Sequence, residues 1–260
     1  MIKNNYIMGE VINWGIIGLG NVAHEFAKSF YNTKNAKLIA IASKSENKLS
    51  KFKANFNIDT NNCHDDYEKL LNNKIVDIVY VALPNSLHYE WVRKSLEFKK
   101  HILVEKPAFI NFQETQNIFN HPNFNDLFIG EGFMFRYHPQ IIKIIELLKD
   151  NSIGQIISMQ SSFGKNLLSK KRFFGLFNSS KFNKKNRIFS RSLGGGAILD
   201  HGSYTVSMSL LIASLIDGVD IKNFDLSENK KKKIENIDVE SSVKLVFDKK
   251  FQAEIVASFS

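Results

Sequence analysis

An apolar run, Val11 to Ile17, passes without a break into Gly18-Leu19-Gly20-Asn21-Val22-Ala23, and a helical pattern follows to about Tyr31. A strand that must turn at once into a helix is a demanding local instruction. Gly18 permits the tight turn, Gly20 leaves no Cβ in the way of whatever approaches the backbone, and Ala23 keeps helix and strand close. The alternation then recurs. Leu38 to Ala42, Ile75 to Leu83 and His101 to Val104 are short apolar runs, and a fifth strand reads at Leu127 to Gly130. Helical patterns run from Ser86 to Phe98 and near Phe112 to Phe119. Continuous apolar strands separated by helices predict an α/β architecture with a parallel sheet covered on both faces.

Beyond about residue 130 the pattern changes. Pro139 to Lys149 reads as an amphipathic helix with Pro in its first turn, and Ile153 to Phe163 as a strand. Gly194-Gly195-Gly196 opens a helix that runs to about Ser214, and Val239 to Phe247 and Phe251 to Phe259 read as strands joined at Asp248-Lys249-Lys250. The expectation is two domains, 1–130 and 131–260, the second α+β with an open, mostly antiparallel sheet. A chain of 260 residues with 43% apolar side chains is long enough for two cores.

Charge is distributed unevenly. No Asp or Glu occurs between Asn151 and Leu199, while that stretch holds Lys165, Lys170, Lys171, Arg172, Lys181, Lys184, Lys185, Arg187 and Arg191. These nine cations equal the formal net charge of +9. The stretch reads as an irregular loop with turns at Gly164, Gly175 and Asn178, either merely solvated or an electropositive rim for an anionic ligand. Lys230 to Lys233 reads as a solvated turn. No nucleic-acid-binding motif accompanies the charge. The lone Cys63 excludes a disulfide framework and a multi-cysteine metal site, and fits a reducing, cytoplasmic setting. No apolar run reaches the ~18 residues of a membrane span, and Met1 to Glu10 lacks a secretory apolar core. The seven His residues show no metal-ligand spacing, and no G-x-S-x-G elbow is present.

The G-x-G-x-x-A pattern at Gly18, Gly20 and Ala23, between a strand and a helix, points to a dinucleotide. The pyrophosphate would lie on the helix N-terminus, against the first-turn residues Asn21 and Val22, where unpaired N–H groups favour anions. The second strand ends in Ser43-Lys44-Ser45 with no acid until Glu46. A hydroxyl beside a cation suits a 2′-phosphate, so NADP is expected over NAD, unless Lys44 is simply exposed.

Four ordered motifs carry a family resemblance: Gly18 to Ala23, then Ala82-Leu83-Pro84-Asn85-Ser86-Leu87-His88, Glu105-Lys106-Pro107, and Gly194 to Tyr204. With Glu131 to Pro139 joining the halves, the chain resembles the Gfo/Idh/MocA oxidoreductases. The resemblance implies an N-terminal Rossmann domain, a C-terminal sheet used for homo-dimer or tetramer formation, and NAD(P)-dependent hydride transfer on a sugar, polyol or sugar derivative, phosphorylated or nucleotide-linked forms included. Pro84, Asn85 and His88 fall where the family contacts the nicotinamide ribose and ring. Tyr204 falls where the family places His or Tyr. The resemblance also implies further strands and a closing helix beyond the strand pattern that ends at Ser260, so the chain is either a compact version or lacks its end.

The residues themselves fit this chemistry. Oxidising a carbinol carbon needs a group that takes the hydroxyl proton. Lys106, at the end of a buried-looking strand and partly withdrawn from water, suits that transfer, with Glu105 holding it or contacting the ribose. An ordinary surface ion pair is the alternative. Asp200 and Tyr204 lie four apart on the expected helix and would share a face, Asp200 toward substrate hydroxyls and the Tyr204 phenol relaying a proton with Lys106. Three glycines would let the ligand approach there. Asp200 as a helix cap, His201 as either substrate ligand or packed side chain, and Arg136 as either cleft or packing residue stay open. A non-catalytic dinucleotide sensor, or a polyanion-binding scaffold, are the competing functions.

Overall fold

The computed structural model describes residues 11–172, 177–180, 182–183 and 186–260. The chain divides into two compact units, one ending at Gly132 and the other beginning at Phe133.

In the first unit β1 (Ile12–Ile17) leads into α1 (Asn21–Lys28), followed by β2 (Ala36–Ala42), α2 (Glu46–Phe56), β3 (Cys63–His64) and α3 (Tyr67–Leu71). Then come β4 (Ile78–Val81), α4 (Asn85–Glu97), β5 (His101–Val104), α5 (Phe112–Phe119) and β6 (Ile129–Glu131). All the strands run parallel, in the order β3-β2-β1-β4-β5-β6. Successive strand residues point to opposite faces, and both faces are apolar, so two cores form. Ile17, Val79, Val81, Ile102 and Val104 meet Trp91, Val92 and Leu96 of α4 on one side. Ile16, Ile41 and Tyr80 meet Ala23, Ala27 and Phe52 on the other. The expected parallel α/β sheet is present.

Two helices lie where no helical pattern was expected. The α2 segment is mostly polar and buries only Phe52, so its periodicity is faint. It is set instead by local chemistry: Ser45 accepts from the Lys48 N–H at its start, and Asn57 ends it in a left-handed conformation. The α3 helix has five residues, with Asp66 as its N-cap.

The second unit contains α6 (Pro139–Lys149), β7 (Ser158–Gly164), the hairpin strands β8 (Ser169–Arg172) and β9 (Phe177–Ser180), and a π-helical turn Ile198–Gly202 that continues into α7 (Ser203–Ala213). Strands β10 (Phe224–Ile234), β11 (Ile237–Phe247) and β12 (Phe251–Ser258) complete it. The sheet order is β10-β11-β12-β7. The β10–β11 and β11–β12 pairs are antiparallel and β12–β7 is parallel, giving the expected mostly antiparallel sheet. Its inner face sets Leu245, Phe247, Phe251, Ala253 and Ile255 against Ile212 and Ala213 of α7 and Ile144 and Leu148 of α6. Phe247, Phe251 and Phe259 are fully buried; each such side chain contributes roughly 1.5–3 kcal/mol on leaving water.

Two expectations for this unit are corrected. Lys230 to Lys233 is no turn: it lies in β10, opposite Ser242, Ser241, Glu240 and Asp238 of β11. β10 ends the sheet, where lysines on an exposed strand discourage further pairing, and the turn itself falls at Glu235, which has φ 53°. The basic stretch is also not wholly irregular. Ser169 to Arg172 pairs with Phe177 to Ser180, so Asn178 is in a strand, and Gly164 closes β7. Met1 to Glu10, Gly175, Lys181, Lys184 and Lys185, with the side chains of Lys170, Lys171 and Arg172, lie outside the described residues. Among those described, no helix is long and apolar enough to cross a membrane.

The entry to the π turn is tightly built. Asp238 accepts from the Ile198 N–H at 2.8 Å and from the Ser241 hydroxyl at 3.2 Å. Gly196 has φ +120°, and a Cβ there would fall 2.2 Å from Asp238 Oδ1. Gly196→Ala therefore loses on conformation and on contact together, and is expected to lower stability by about 1–3 kcal/mol or more, seen as an earlier urea midpoint.

Candidate functional site

Parallel strands place all their C-terminal ends on one edge, and the register aligns them. Ile17 of β1 lies beside Ala42 of β2 and Val81 of β4, and Val81 beside Val104 of β5. The residues just past this row are Gly18, Ser43, Ala82 and Glu105. Sheet order reverses between β1 and β4, the switch point where ligands of open α/β sheets bind.

The glycine turn sits at that point. Gly18 has φ +89°, and a Cβ on it would lie 2.6 Å from the Ala82 carbonyl oxygen. Gly20 is different: a Cβ there would meet nothing within 4 Å. It stands at the start of α1, whose N-terminus has no side-chain cap and no acid in its first turn. Asn21 and Val22 are exposed there. The N–H groups at this helix start, positive by the helix dipole and left without a capping side chain, suit an anion such as a pyrophosphate.

Ser43 is buried, and its hydroxyl oxygen accepts from the Ser45 N–H at 3.1 Å. It shapes the turn that presents Lys44. The Lys44 ammonium lies 2.7 Å from Asp66 Oδ2 and 5.3 Å over the Tyr67 ring. The hydrogen bond from Lys44 holds the Asp66 carboxyl below its ordinary pKa, and the carboxylate raises that of Lys44. Both groups are substantially exposed, so the pair itself stabilises little. His64, beside Ala42 in the sheet, buries its Nε2 without a hydrogen-bond partner, and burial lowers its pKa. Sequence reasoning missed Asp66 and His64. The signal for Asp66 was the Asp-Tyr-Glu start of α3, a capping pattern over a helix too short to stand out.

Pro84 caps α4, and Asn85, its first residue, is buried. His88 does not face a ligand as expected. Its ring is fully buried, with Nδ1 2.8 Å from the Pro107 carbonyl and Nε2 2.8 Å from the Leu83 carbonyl. Both nitrogens are committed to backbone, so His88 ties the loop after β4 to the loop after β5. Glu105 accepts a hydrogen bond from the buried Tyr80 hydroxyl. Lys106 is half-buried, and the Lys106–Pro107 bond is cis. Glu131 accepts from the Ala108 N–H at 2.9 Å, bracing the far side of the loop. Cys63 donates to the Asp59 carbonyl, and burial raises its thiol pKa, as an inert cysteine requires. Among the described residues no group of His, Cys, Asp and Glu gathers as metal ligands.

In the second unit, Asp200, His201 and Tyr204 come together on the π turn and the start of α7. The π turn breaks the 3.6-residue spacing on which the shared face of Asp200 and Tyr204 was argued. Asp200 has a side chain only 12% exposed, lying 3.6 Å from Arg187 and 3.8 Å from His201 Nε2. His201 is buried against Phe163 and Phe259, and its Nδ1 is 2.8 Å from the Ser258 carbonyl. That is the environment of a packed histidine. Tyr204 is half-buried, its ring 5.2 Å from Phe163 and 5.9 Å from both Phe133 and Phe135. Arg136 donates from Nε and Nη2 to the Ser207 hydroxyl and from Nη2 to the Ser207 carbonyl, so it braces α7. The glycines before the π turn serve the protein rather than a ligand. A Cβ on Gly195 would lie 2.5 Å from the Arg187 carbonyl, and Gly196 is closed by Asp238.

A doubly covered parallel sheet with this order, and an uncapped glycine turn at its switch point, defines a dinucleotide-binding Rossmann domain. The chain belongs to the Gfo/Idh/MocA oxidoreductase family, NAD-binding Rossmann fold, which it matches over residues 12–142. D-xylose 1-dehydrogenase (NADP(+)) 2 of Haloferax volcanii is 28% identical over 246 residues, 95% of this chain and 69% of that protein. The trans-1,2-dihydrobenzene-1,2-diol dehydrogenase of Danio rerio is 27% identical over 206 residues, 77% of this chain and 56% of that protein. Among solved structures, the 3-ketoreductase KijD10 of Actinomadura kijaniata, in complex with NADP and TDP-benzene, shares the fold at TM-score 0.79 and 24% identity, over 96% of this chain and 71% of its own. The chain spans little more than half the length of several curated relatives that it matches.

The two turn glycines separate folding from binding. Gly20→Ala is expected to leave the thermal melt in place while weakening NADPH or NADH binding on the order of tenfold. Gly18→Ala is expected to lower the melt itself. Melting curves and nicotinamide fluorescence titrations on both variants check this.

Proposed function

We propose that this chain is an NADP-preferring oxidoreductase that moves a hydride between the nicotinamide and a hydroxyl-bearing or carbonyl carbon of a sugar, polyol or sugar derivative. The observation that carries the reading is the edge just described, with the uncapped glycine turn after β1 and Lys106 after β5, the two strands that flank β4 in one aligned row. Gly18, Gly20, Asn21 and Val22 hold the pyrophosphate. Lys44 faces the 2′-phosphate, and Pro84, Asn85 and Glu105 border the nicotinamide ribose. Two of the relatives support NADP by name, the xylose dehydrogenase and the 3-ketoreductase solved with that cofactor. The same 3-ketoreductase, solved with TDP-benzene, favours a nucleotide-linked substrate.

The bound cofactor supplies the hydride acceptor or donor; the chain supplies the proton handling. In the first unit the Lys106 ammonium is the group suited to balance negative charge on a substrate oxygen, and in the second the Tyr204 phenol is the group suited to take or return a hydroxyl proton. The three phenylalanine rings around Tyr204 fix the phenol in direction and offer apolar faces to sugar C–H groups. Asp200, held by Arg187, accepts from substrate hydroxyls. Homo-dimers or tetramers would form through the outer sheet face that carries Lys244, Glu254 and Gln160.

The test is a screen of sugars, sugar phosphates and nucleotide sugars with both cofactors, followed by nicotinamide absorbance. Lys106→Ala and Tyr204→Phe are each expected to cut turnover by about 10²-fold or more with cofactor affinity retained. Cofactor binding with no turnover across the screen points instead to a sensor on the same fold.

A further inference from the structure

The cation assigned to the 2′-phosphate already has an anionic neighbour held in place. Asp66 uses one carboxylate oxygen to accept from Glu68 N–H at 2.7 Å, capping α3. The other lies 2.7 Å from the Lys44 ammonium. The two loops cannot drift apart easily. Ala42 and His64 are register partners, and the Ser43 N–H donates to the His64 carbonyl at 3.0 Å. The Tyr67 ring lies under the ammonium as a further constraint. A neighbouring acid, Asp65, is paired with Lys69 at 2.9 Å, so Lys69 is not the main partner of Asp66.

We propose that Asp66 sets the cofactor preference of this chain by partly cancelling Lys44. The inference rests on the reading of Lys44 as the 2′-phosphate ligand. A phosphate monoester carries about −1.5 to −2 charges near neutral pH. Seated at Lys44, it lies well inside one Debye length, about 8–10 Å, of the Asp66 carboxylate. The ribose of NAD brings no charge to that point and has two hydroxyls that a carboxylate accepts from. Asp66 therefore works against NADP and in favour of NAD, while Lys44 works the other way. An exposed pair of this kind is weak enough for a phosphate to displace the carboxylate from the ammonium, so the outcome is a tempered preference rather than exclusion.

Asp66→Asn is the discriminating variant, because Asn caps a helix about as well as Asp and keeps the size of the side chain while removing its charge. NADPH and NADH are titrated separately by nicotinamide fluorescence, on wild type, Asp66→Asn, Lys44→Ala and the double variant. The expected result is a ratio of NADPH to NADH affinity raised about three- to tenfold in Asp66→Asn, shrinking as salt is added, with the melting temperature unmoved. In the Lys44→Ala background the same change is expected to be smaller. An unchanged or lowered ratio in Asp66→Asn, with both cofactors still bound, overturns the inference and leaves the oxidoreductase reading standing. A wild type that binds neither cofactor overturns that reading, and the inference with it. A ratio insensitive to Lys44→Ala removes Lys44 from the 2′-phosphate and overturns the inference on that ground.

Discussion

One row across the first sheet governs what lies above it. Ala42, Ile17, Val81 and Val104 are neighbours in register on four parallel strands. A slip of one residue in any of these pairings would move the side chains of one core into the other, so close packing on both faces holds the row. The glycine turn, Lys44, Pro84 and Lys106 all occur within three residues of it. Their common location is thus a consequence of strand burial, and their chemistry is delivered by short loops that have little freedom.

Those loops are then fastened by buried polar contacts. His88 joins the Leu83 and Pro107 carbonyls, and Tyr80 bonds Glu105. Breaking such a bond leaves a buried donor or acceptor without a partner, which costs about 1–3 kcal/mol. The arrangement keeps the polypeptide around Lys106 from relaxing toward water. The second unit uses another device for the same end. There a π turn changes the helical spacing at Asp200 and His201, and aromatic rings pack Tyr204 and His201 from the side.

Much of this was legible in the amino-acid order. The continuous apolar runs gave five of the six strands of the first sheet, since burial on both faces leaves a plain signature. The amphipathic helix at Pro139 to Lys149 was equally clear, because a Pro at its start and a period of 3.6 agree. Several elements that escaped notice bury little, namely α2 with one buried side chain, the two-residue β3 and the lysine-rich edge strand β10, while α3 buries Tyr67, Leu70 and Leu71 but is too short to show a period. A strand at the rim is specified by its neighbour's hydrogen bonds rather than by its own apolar content. His88 shows the limit for site residues. A histidine near a ligand crevice reads as a ligand, and only the two carbonyls facing its nitrogens reveal it as a strut.

Glycine is the sharpest case, because the same letter answers to different causes. At Gly18 the chain itself forbids a side chain, through φ +89° and the Ala82 carbonyl. At Gly195 and Gly196 it does so again, through the Arg187 carbonyl and the Asp238 carboxylate. At Gly20 neither condition applies, for φ is −92° and the space where a Cβ would sit is open. Glycine gives no stability there that serine or aspartate would not exceed as a helix cap. A residue that folding does not require, at a helix start left without a capping side chain, is explained by what must come close to it from outside. The motif therefore carries a folding constraint at its first position, while the fold leaves its second position open, and the binding proposal stands on Gly20.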